Sequence, residues 1–377
     1  MDFTISSDQK ELRNLARSIL TDHATHDRFK ILEKQSRSVF DRDLWKRLAE
    51  AGVTGIVIPE EHGGLGLGFL DLAVVLEELG AFVAPVPAVP VLALGALPIA
   101  KYAPADIQAQ LLPGIASGEL LVTTALTEPG EPDPLAPTTR ATKDGDTWTV
   151  TGEKVFVPYG AEVEWLIVPA TVQGGAGDGS VVLLLVKGDA AGLSKTDLVT
   201  TNRQPQANLD FQDVVAAGVI AEGEGGRDAL EDIRLHGTSA LCSLAAGITF
   251  AAVRMTAKYT SERIQFDKPI ASFQAVGQRA ADAYIDAELV RLTALQAAWR
   301  LSEGLPAGDQ VAVAKFWAGE GSDRALHAAQ HLHGGIGVDT DYPLHRYFVW
   351  GKAVEHELGT PTRQLLALGK IIANTPV

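Results

Sequence analysis

The feature that most restricts this chain is a double change of apolar period. Up to about residue 120, apolar side chains recur at helical spacing: Leu12, Leu15, Ile19 and Leu20, then Leu44, Leu48 and Val53. A Ser6/Gln9 capping box opens the first run. Between about 120 and 219 the pattern breaks into short β-prone runs at 121–126, 147–151, 165–168, 181–186 and 207–211. Gly and Asp turns such as Asp144-Gly-Asp separate them. After Gly226 helical spacing returns and persists. Helices, a small β region and helices again, with no βαβ alternation, give no ground for a doubly wound nucleotide fold. Short strands with frequent turns predict an antiparallel barrel or sandwich in the middle of an α+β, mainly α, chain.

Within the last helical region, residues 259–274 are a break. The segment before them, 248–258, is apolar, small and free of Pro and Gly, whereas Pro269 fits poorly in a helix interior. The stretch therefore reads as the corner of a helical hairpin, with Phe266, Ile270 and Phe273 anchoring it and Arg263 and Gln265 facing outward. An exposed Arg suits a phosphate, and it equally suits closure of a helix end. The glycine-rich run 58–68 has two readings as well, a phosphate cradle or a tight helix connection. It lacks the Lys-Ser/Thr ending of a P-loop and follows no strand, which favours the connection.

A formal charge of −15 over 377 residues argues against nucleic acid as a partner. The single cysteine, Cys242, rules out an internal disulfide and, in an apolar helical run, is expected to be buried and inert. The first residues show neither a basic region nor an apolar core, and the apolar run 239–253 is too short to span a bilayer, so a cytoplasmic protein with no membrane partner is expected. His331 and His333, read as flanking Leu332 in a loop, make a poor metal site without Cys or carboxylate neighbours.

Three strings, Leu126-Thr-Glu-Pro-Gly130, Arg263-Ile-Gln-Phe-Asp-Lys-Pro-Ile-Ala-Ser-Phe-Gln274 and His333-Gly-Gly-Ile-Gly337, occur in an order and at separations that resemble the acyl-CoA dehydrogenase family over essentially the whole chain. The resemblance implies an amino-terminal helical domain (1–119), a central antiparallel β-barrel domain (120–224) and a carboxy-terminal four-helix bundle (225–377). It also implies FAD. Thr127 and Phe156 match positions that wrap the flavin ring of their own subunit, Phe156 standing where the family usually has Trp. Arg263, Gln265, Phe266, Gln274, Gly334, Gly335 and Gly337 match residues that reach the dinucleotide of a neighbouring subunit's flavin. The amide usually found three residues before the first glycine is His331 here, with Gln330 beside it.

Family members oxidise an acyl-CoA thioester across its α and β carbons, a carboxylate taking the α proton, and an electron-transfer flavoprotein usually reoxidises the flavin. In this chain the base is hard to find. One family position, before Gly-Thr, holds Leu358; Glu357 is one residue away, where a helical rotation of about 100° would aim it elsewhere. The other position falls in 237–247, which contains no acid, and Thr238 occupies the place of a neighbouring Arg. Glu131 and Asp133 stand where flavin phosphate oxygens would lie, a repulsion of about 4 kcal/mol per pair at 4 Å and an effective dielectric near 20. Pro158 replaces a common Thr.

Residues serving the chain's own pocket thus look degraded, while those donated to a neighbour look intact. The expected function is that of one subunit of a heterotetrameric acyl-CoA dehydrogenase, resembling the actinobacterial enzymes acting on steroid side-chain CoA esters, with a homologous subunit supplying the base and flavin-ring pocket. The alternatives are a homotetramer using Glu357 or an unplaced acid, and a non-catalytic flavin-binding or structural subunit of the same fold.

Overall fold

A computed structural model describes residues 4–130, 135–175 and 177–374. The chain packs as two compact units, each drawing on the amino-terminal helices: one contains residues up to Lys30, 69–84 and everything after Gly237, the other 31–68 and 85–237. Glu131 and Asp133 lie outside the described residues.

In the first unit, α1 (Ser7–His23) begins at the expected capping box, with Gln9 N donating to Ser6 Oγ and Ser6 N donating to Gln9 Oε1. Helix α2 (His26–Gln35) follows, contributing its first residues here. In the second unit, α3 (Arg42–Glu50) leads into the glycine run, which forms 3₁₀ turns and no phosphate loop after a strand. A Cβ at Gly64 would stand 2.0 Å from the Ile58 carbonyl oxygen, so the run is a tight connection closed on itself. It feeds α4 (Phe69–Ala81) of the first unit. Arg13 and Arg17 of α1 pair with Glu77 and Glu78 of α4 at 3.1 and 2.6 Å.

The second unit continues through a π-helical stretch Val89–Ala96, α5 (Leu97–Tyr102) and α6 (Ala105–Ala116) into the sheet. Its strands are β1 (Val122–Thr124), β2 (Arg140–Asp144), β3 (Thr147–Pro158), β4 (Trp165–Val172), β5 (Val181–Lys187), β6 (Leu193–Leu198), β7 (Gln206–Val215) and β8 (Gly218–Ala221). The order β6-β7-β3-β2-β4-β5-β8, with β1 also on β4, leaves β6 and β8 at the ends of the ladder. The sheet is antiparallel as expected at most of its pairings, except that β1 and β2 both run parallel to β4. β4 and β5, buried along almost their whole length, are the apolar centre of this unit.

Helix α7 (Glu224–Glu262) is far longer than the apolar run 239–253 suggested, and by length and composition alone it could cross a membrane. Of its most apolar window, 67% is buried inside the protein, as in a core helix. After α7 come the two-residue strands β9 (Ile264–Gln265) and β10 (Lys268–Pro269), then α8 (Gln274–Ser302), α9 (Gly308–His333), α10 (Leu344–His356) and α11 (Pro361–Asn374). Phe250 and Val253 of α7 meet Ala283 and Ala287 of α8 and Ala325 and Ala328 of α9, small residues that allow the helices to approach closely. Cys242 is fully buried and unpaired, and burial pushes its thiol up to about 12.

Candidate active site

Two separate clusters hold the residues singled out in the sequence, one in each unit. In the sheet unit the 126–130 segment is fixed by its acid. Glu128 accepts hydrogen bonds from Thr138 N and Oγ1 at 2.6 and 2.7 Å, from Thr139 N at 2.9 Å and from Lys154 Nζ at 2.7 Å. Burial alone would raise the Glu128 pKa, but the Lys154 ammonium and the converging donors override it and hold the carboxyl at about 2. Burial pulls the fully buried Lys154 down and Glu128 pulls it back; with so many donors on the carboxylate, the pair is ionised.

The pair locks Leu126–Gly130 against β3, where Val155 N donates to Thr127 O at 2.9 Å. One residue on, β3 bulges against β7 between Lys154 and Val157, and Phe156 takes a left-handed φ of 53°. Its amide donates to Asn208 Oδ1 at 3.1 Å, and its ring stands 58% exposed, a flat apolar face turned away from the sheet. Thr127 and Phe156 are therefore brought together. The Glu128–Lys154 pair goes beyond the sequence expectations, although a Glu in the motif and a Lys at an inward position of β3 are both visible there.

In the helical unit the break after α7 is a β-hairpin. β9 and β10 pair through the two-residue turn Phe266-Asp267, with φ of 54° and 62°, values that suit a tight hairpin but strain a phenylalanine. The turn points Phe266 outward, 85% exposed and edge-on to Phe273 at 6.0 Å. The expectation that Phe266 anchors the corner is thus corrected: Ile270 and Phe273 are the partly buried members. Arg263, Gln265 and Gln274, the first residue of α8, are all exposed. No ion pair engages Arg263 among the described residues.

The glycine loop sits beside this hairpin's stem. His331 and His333 belong to the last turn of α9, not to a loop; Gly334, at φ 64°, ends the helix and a 3₁₀ turn runs to Val338. Gly334 and Gly335 are exposed, with nothing within 4 Å of where a Cβ would stand, while a Cβ at Gly337 would lie 2.8 Å from Gln330 Oε1. That buried oxygen has no hydrogen-bond partner. Tyr259, near the end of α7, stacks on His333 at 4.4 Å, and His333 Nε2 lies 3.2 Å from Tyr342 Oη. These rings tie the stem of the hairpin to the stem of the loop.

An exposed guanidinium and amides, open glycines and one unpartnered buried acceptor suit an anionic dinucleotide with donor groups, so the residues fit FAD.

The base positions look different. Leu358 follows α10 at φ 52°, its carbonyl accepting from Gln364 Nε2 at 3.2 Å. Glu357 is the C-cap of α10 in extended conformation, so the helical rotation argument does not govern it. The residue is of intermediate exposure, yet burial pushes its carboxyl up to about 7 against the pull of Lys315. Lys315, fully buried, donates to the carbonyls of Val354 and Glu355 at 2.7 and 3.1 Å, and burial pushes it down to about 8. On α7, the hydroxyls of Thr238 and Ser239 are buried without partners, in the stretch that carries no acid. Arg234 is held by Glu231 at 2.7 Å and Arg254 lies 5.6 Å over the Phe250 ring, which leaves both engaged within the chain.

A helical and sheet chain carrying a pinned acidic motif, an outward aromatic and an exposed Arg/Gln/Gly cluster has the features expected of a flavin-dependent oxidoreductase. Family models agree along the chain: acyl-CoA dehydrogenase N-terminal domain over residues 6–119, middle domain over 123–214 and C-terminal domain over 225–373. The chain belongs to the acyl-CoA dehydrogenase family, FAD-dependent enzymes acting on CH–CH bonds. It is 37% identical to acyl-CoA dehydrogenase FadE27 of Mycobacterium tuberculosis, covering 100% of both chains. A chain of the Tcur3481-Tcur3483 steroid ACAD is 42% identical with a TM-score of 0.89, over 98% of this chain and 99% of that one. A chain of the ChsE4-ChsE5 complex from Mycobacterium tuberculosis is 35% identical with a TM-score of 0.93, over 100% of each.

Proposed function

We propose that this chain is one subunit of a heterotetrameric acyl-CoA dehydrogenase that introduces an α,β double bond into a CoA thioester of the steroid side-chain class. A homologous subunit supplies the carboxylate that removes the α proton and the flavin-ring pocket. The observation that carries this reading is Leu358, an aliphatic side chain at the expected base position, together with the acid-free stretch 237–247 of α7. The likeness to chains of the ChsE4-ChsE5 complex and of the Tcur3481-Tcur3483 steroid ACAD supports both the mixed assembly and the substrate class.

In this reading Arg263 and Gln265 hold the dinucleotide of the neighbouring subunit's FAD, Phe266 packs against it, and Gln274 and the backbone of Gly334, Gly335 and Gly337 complete the cradle. Bound FAD supplies the acceptor for the β hydride, and an electron-transfer flavoprotein takes the electrons onward. On this chain's own side Thr127 is kept, but Phe156 and Pro158 stand where the family usually has Trp and Thr, so the ring pocket there has diverged. Purifying the chain alone and with its homologous subunit tests the proposal. Stoichiometric yellow flavin with acyl-CoA turnover by the chain alone would overturn it; flavin and turnover only in the mixed complex support it.

A second reading, a homotetramer with Glu357 as base, draws on one observation: a buried carboxyl brought to about 7 suits proton abstraction near neutral pH. Glu357→Gln separates the two. A loss of about 10²–10⁴ in turnover with flavin retained favours Glu357 as base, and unchanged turnover favours the partner's carboxylate.

A further inference from the structure

The glycine loop is held from the amino-terminal side of the same unit by contacts that its flavin role does not require. Between the loop and α10, Asp341 is gripped by two residues of α2: Lys30 Nζ forms an ion pair with Asp341 Oδ1, and His26 Nε2 meets the Asp341 carbonyl oxygen at 3.0 Å. The other ring nitrogen of His26, Nδ1, contacts Arg346 Nη1, in the first turn of α10. Arg346 is only 5% exposed and lies 5.8 Å over the ring of Phe29, also on α2.

The partners fix the protonation state of His26. A carbonyl oxygen only accepts, so Nε2 carries the hydrogen; a guanidinium only donates, so Nδ1 is the acceptor. Neutral imidazole satisfies both contacts at once. A second proton would place an N–H against the guanidinium and convert one of the two attractions into repulsion. The charged or titratable groups facing His26 are Lys30 on its own helix and, from the segment packed against it, Asp341, His345 and Arg346; the His345 ring lies edge-on at 6.3 Å.

The grip reaches the loop through the intervening residues. Asp341 N donates to Asp339 Oδ1 at 2.9 Å, His345 Nδ1 donates to Tyr342 O at 2.7 Å, and Tyr342 meets His333 at the root of Gly334. We propose that His26 and Lys30 are positioning residues for the Gly334–Val338 loop, forming a latch that neutral imidazole closes and acid opens. Burial and the Arg346 charge both lower the His26 pKa, in keeping with a closed latch at neutral pH. The inference rests on the reading of the loop as a flavin-dinucleotide cradle, and its test separates the two.

The experiment uses the purified flavin-loaded complex and two readouts: amide hydrogen exchange across 334–341 and the rate of FAD release after dilution, followed by flavin fluorescence. Lys30→Met is expected to speed both by about two- to fivefold, the range of a partly exposed ion pair, and Lys30→Arg to restore them. In the unaltered complex FAD release, and exchange across 334–341 once corrected for the intrinsic pH dependence of amide exchange, should both rise as pH falls below the ordinary imidazole value of 6.5, because burial and Arg346 lower the His26 pKa. His26→Gln, whose amide can donate and accept as the neutral ring does, should flatten that rise. Arg263→Ala is the reference: it touches neither His26 nor Lys30 and should speed FAD release without altering the dependence of that release on the His26 substitution.

Unaltered exchange in Lys30→Met, or an unaltered pH rise in His26→Gln, overturns the latch. Faster exchange without faster FAD release, while Arg263→Ala does release flavin, overturns the positioning role. If neither Lys30→Met nor Arg263→Ala affects FAD, the flavin reading of the cluster falls.

Discussion

Lys315, buried inside the helical unit, donates a 2.7 Å hydrogen bond to the carbonyl of Val354 and so caps α10 just before the helix delivers Glu357. The ammonium and the carboxyl titrate against their surroundings in opposite senses. Glu357, about 7 in the fold against an ordinary 4.5, binds more protons native than unfolded between those values, so stability falls as pH rises from about 4.5 to about 7. Lys315, about 8 against 10.5, binds fewer, so stability recovers as pH rises from about 8 towards 10.5.

Urea denaturation of the wild type should therefore lose about 1–3 kcal/mol between pH 4.5 and pH 7 relative to Glu357→Gln, less than the whole shift because the residue keeps some solvent contact. Parallel curves for the two proteins over that window would contradict the buried placement of the carboxyl.

Glu128→Gln removes one half of an ion pair whose other half, Lys154, has no solvent contact. An uncompensated buried ammonium costs about 3–5 kcal/mol, measurable as a lower denaturation midpoint. The double variant Glu128→Gln/Lys154→Met should lose less than the sum of its parts, because the second change removes the stranded charge. Glu128 is held at about 2, so its contribution is fully present above about 4.5 and lost as pH falls from there towards 2. The Glu128→Gln protein should show a shallower acid transition across that interval.

Helices α4 and α7 touch backbone to backbone. A Cβ at Gly247 would lie 1.8 Å from Glu77 O and 2.6 Å from Ala81 N, and one at Gly80 2.1 Å from Leu244 O. Gly247→Ala must push two helices apart, and overpacking of this kind costs about 1–3 kcal/mol. Gly277, inside α8, has nothing within 4 Å of such a position. Gly277→Ala should instead stabilise by about 0.5–1 kcal/mol through helix propensity and a less flexible unfolded chain. Thermal melts of the two variants moving in opposite directions check both statements.

The helix, sheet and helix order is legible in the sequence because apolar period is a local property, and so are the Ser6 box and the break after α7. What escapes depends on distance or on polar pattern. β6, with alternating partial exposure and no apolar core face, and β2, with one buried residue in five, carry almost no strand signal; their neighbours in the ladder define them. Glu128 and Lys154 lie 26 residues apart and meet only once β3 is folded. His26 and Asp341 are separated by 315 residues, so nothing local hints at their contact. Phe266 departs from expectation for a conformational reason: apolarity suggests an anchor, while the left-handed two-residue turn swings the ring out. In the candidate site, the motif strings mark the residues that matter, whereas the burial of Lys315 and Glu357 is visible only in three dimensions.

Leu358→Glu asks whether the chain lacks only a base or a working flavin pocket as well. The position already holds a side chain at φ 52°, so a longer acid meets the same backbone strain as leucine, and the Gln364 bond to its carbonyl is untouched. A correctly aimed carboxylate is worth about 10²–10⁴ in turnover, far above assay noise. In the heteromeric reading the substitution leaves both the flavin content and the acyl-CoA turnover of the complex within about twofold of the wild type, because the chain's own side of the ring pocket has diverged together with its base. The measurement is flavin per complex by absorbance, with steady-state turnover on the same preparation. A gain of a second flavin or of a second active site per pair of chains would show that the pocket had kept everything but the acid, and would count against assigning this chain's contribution to Arg263, Gln265 and the glycine loop alone.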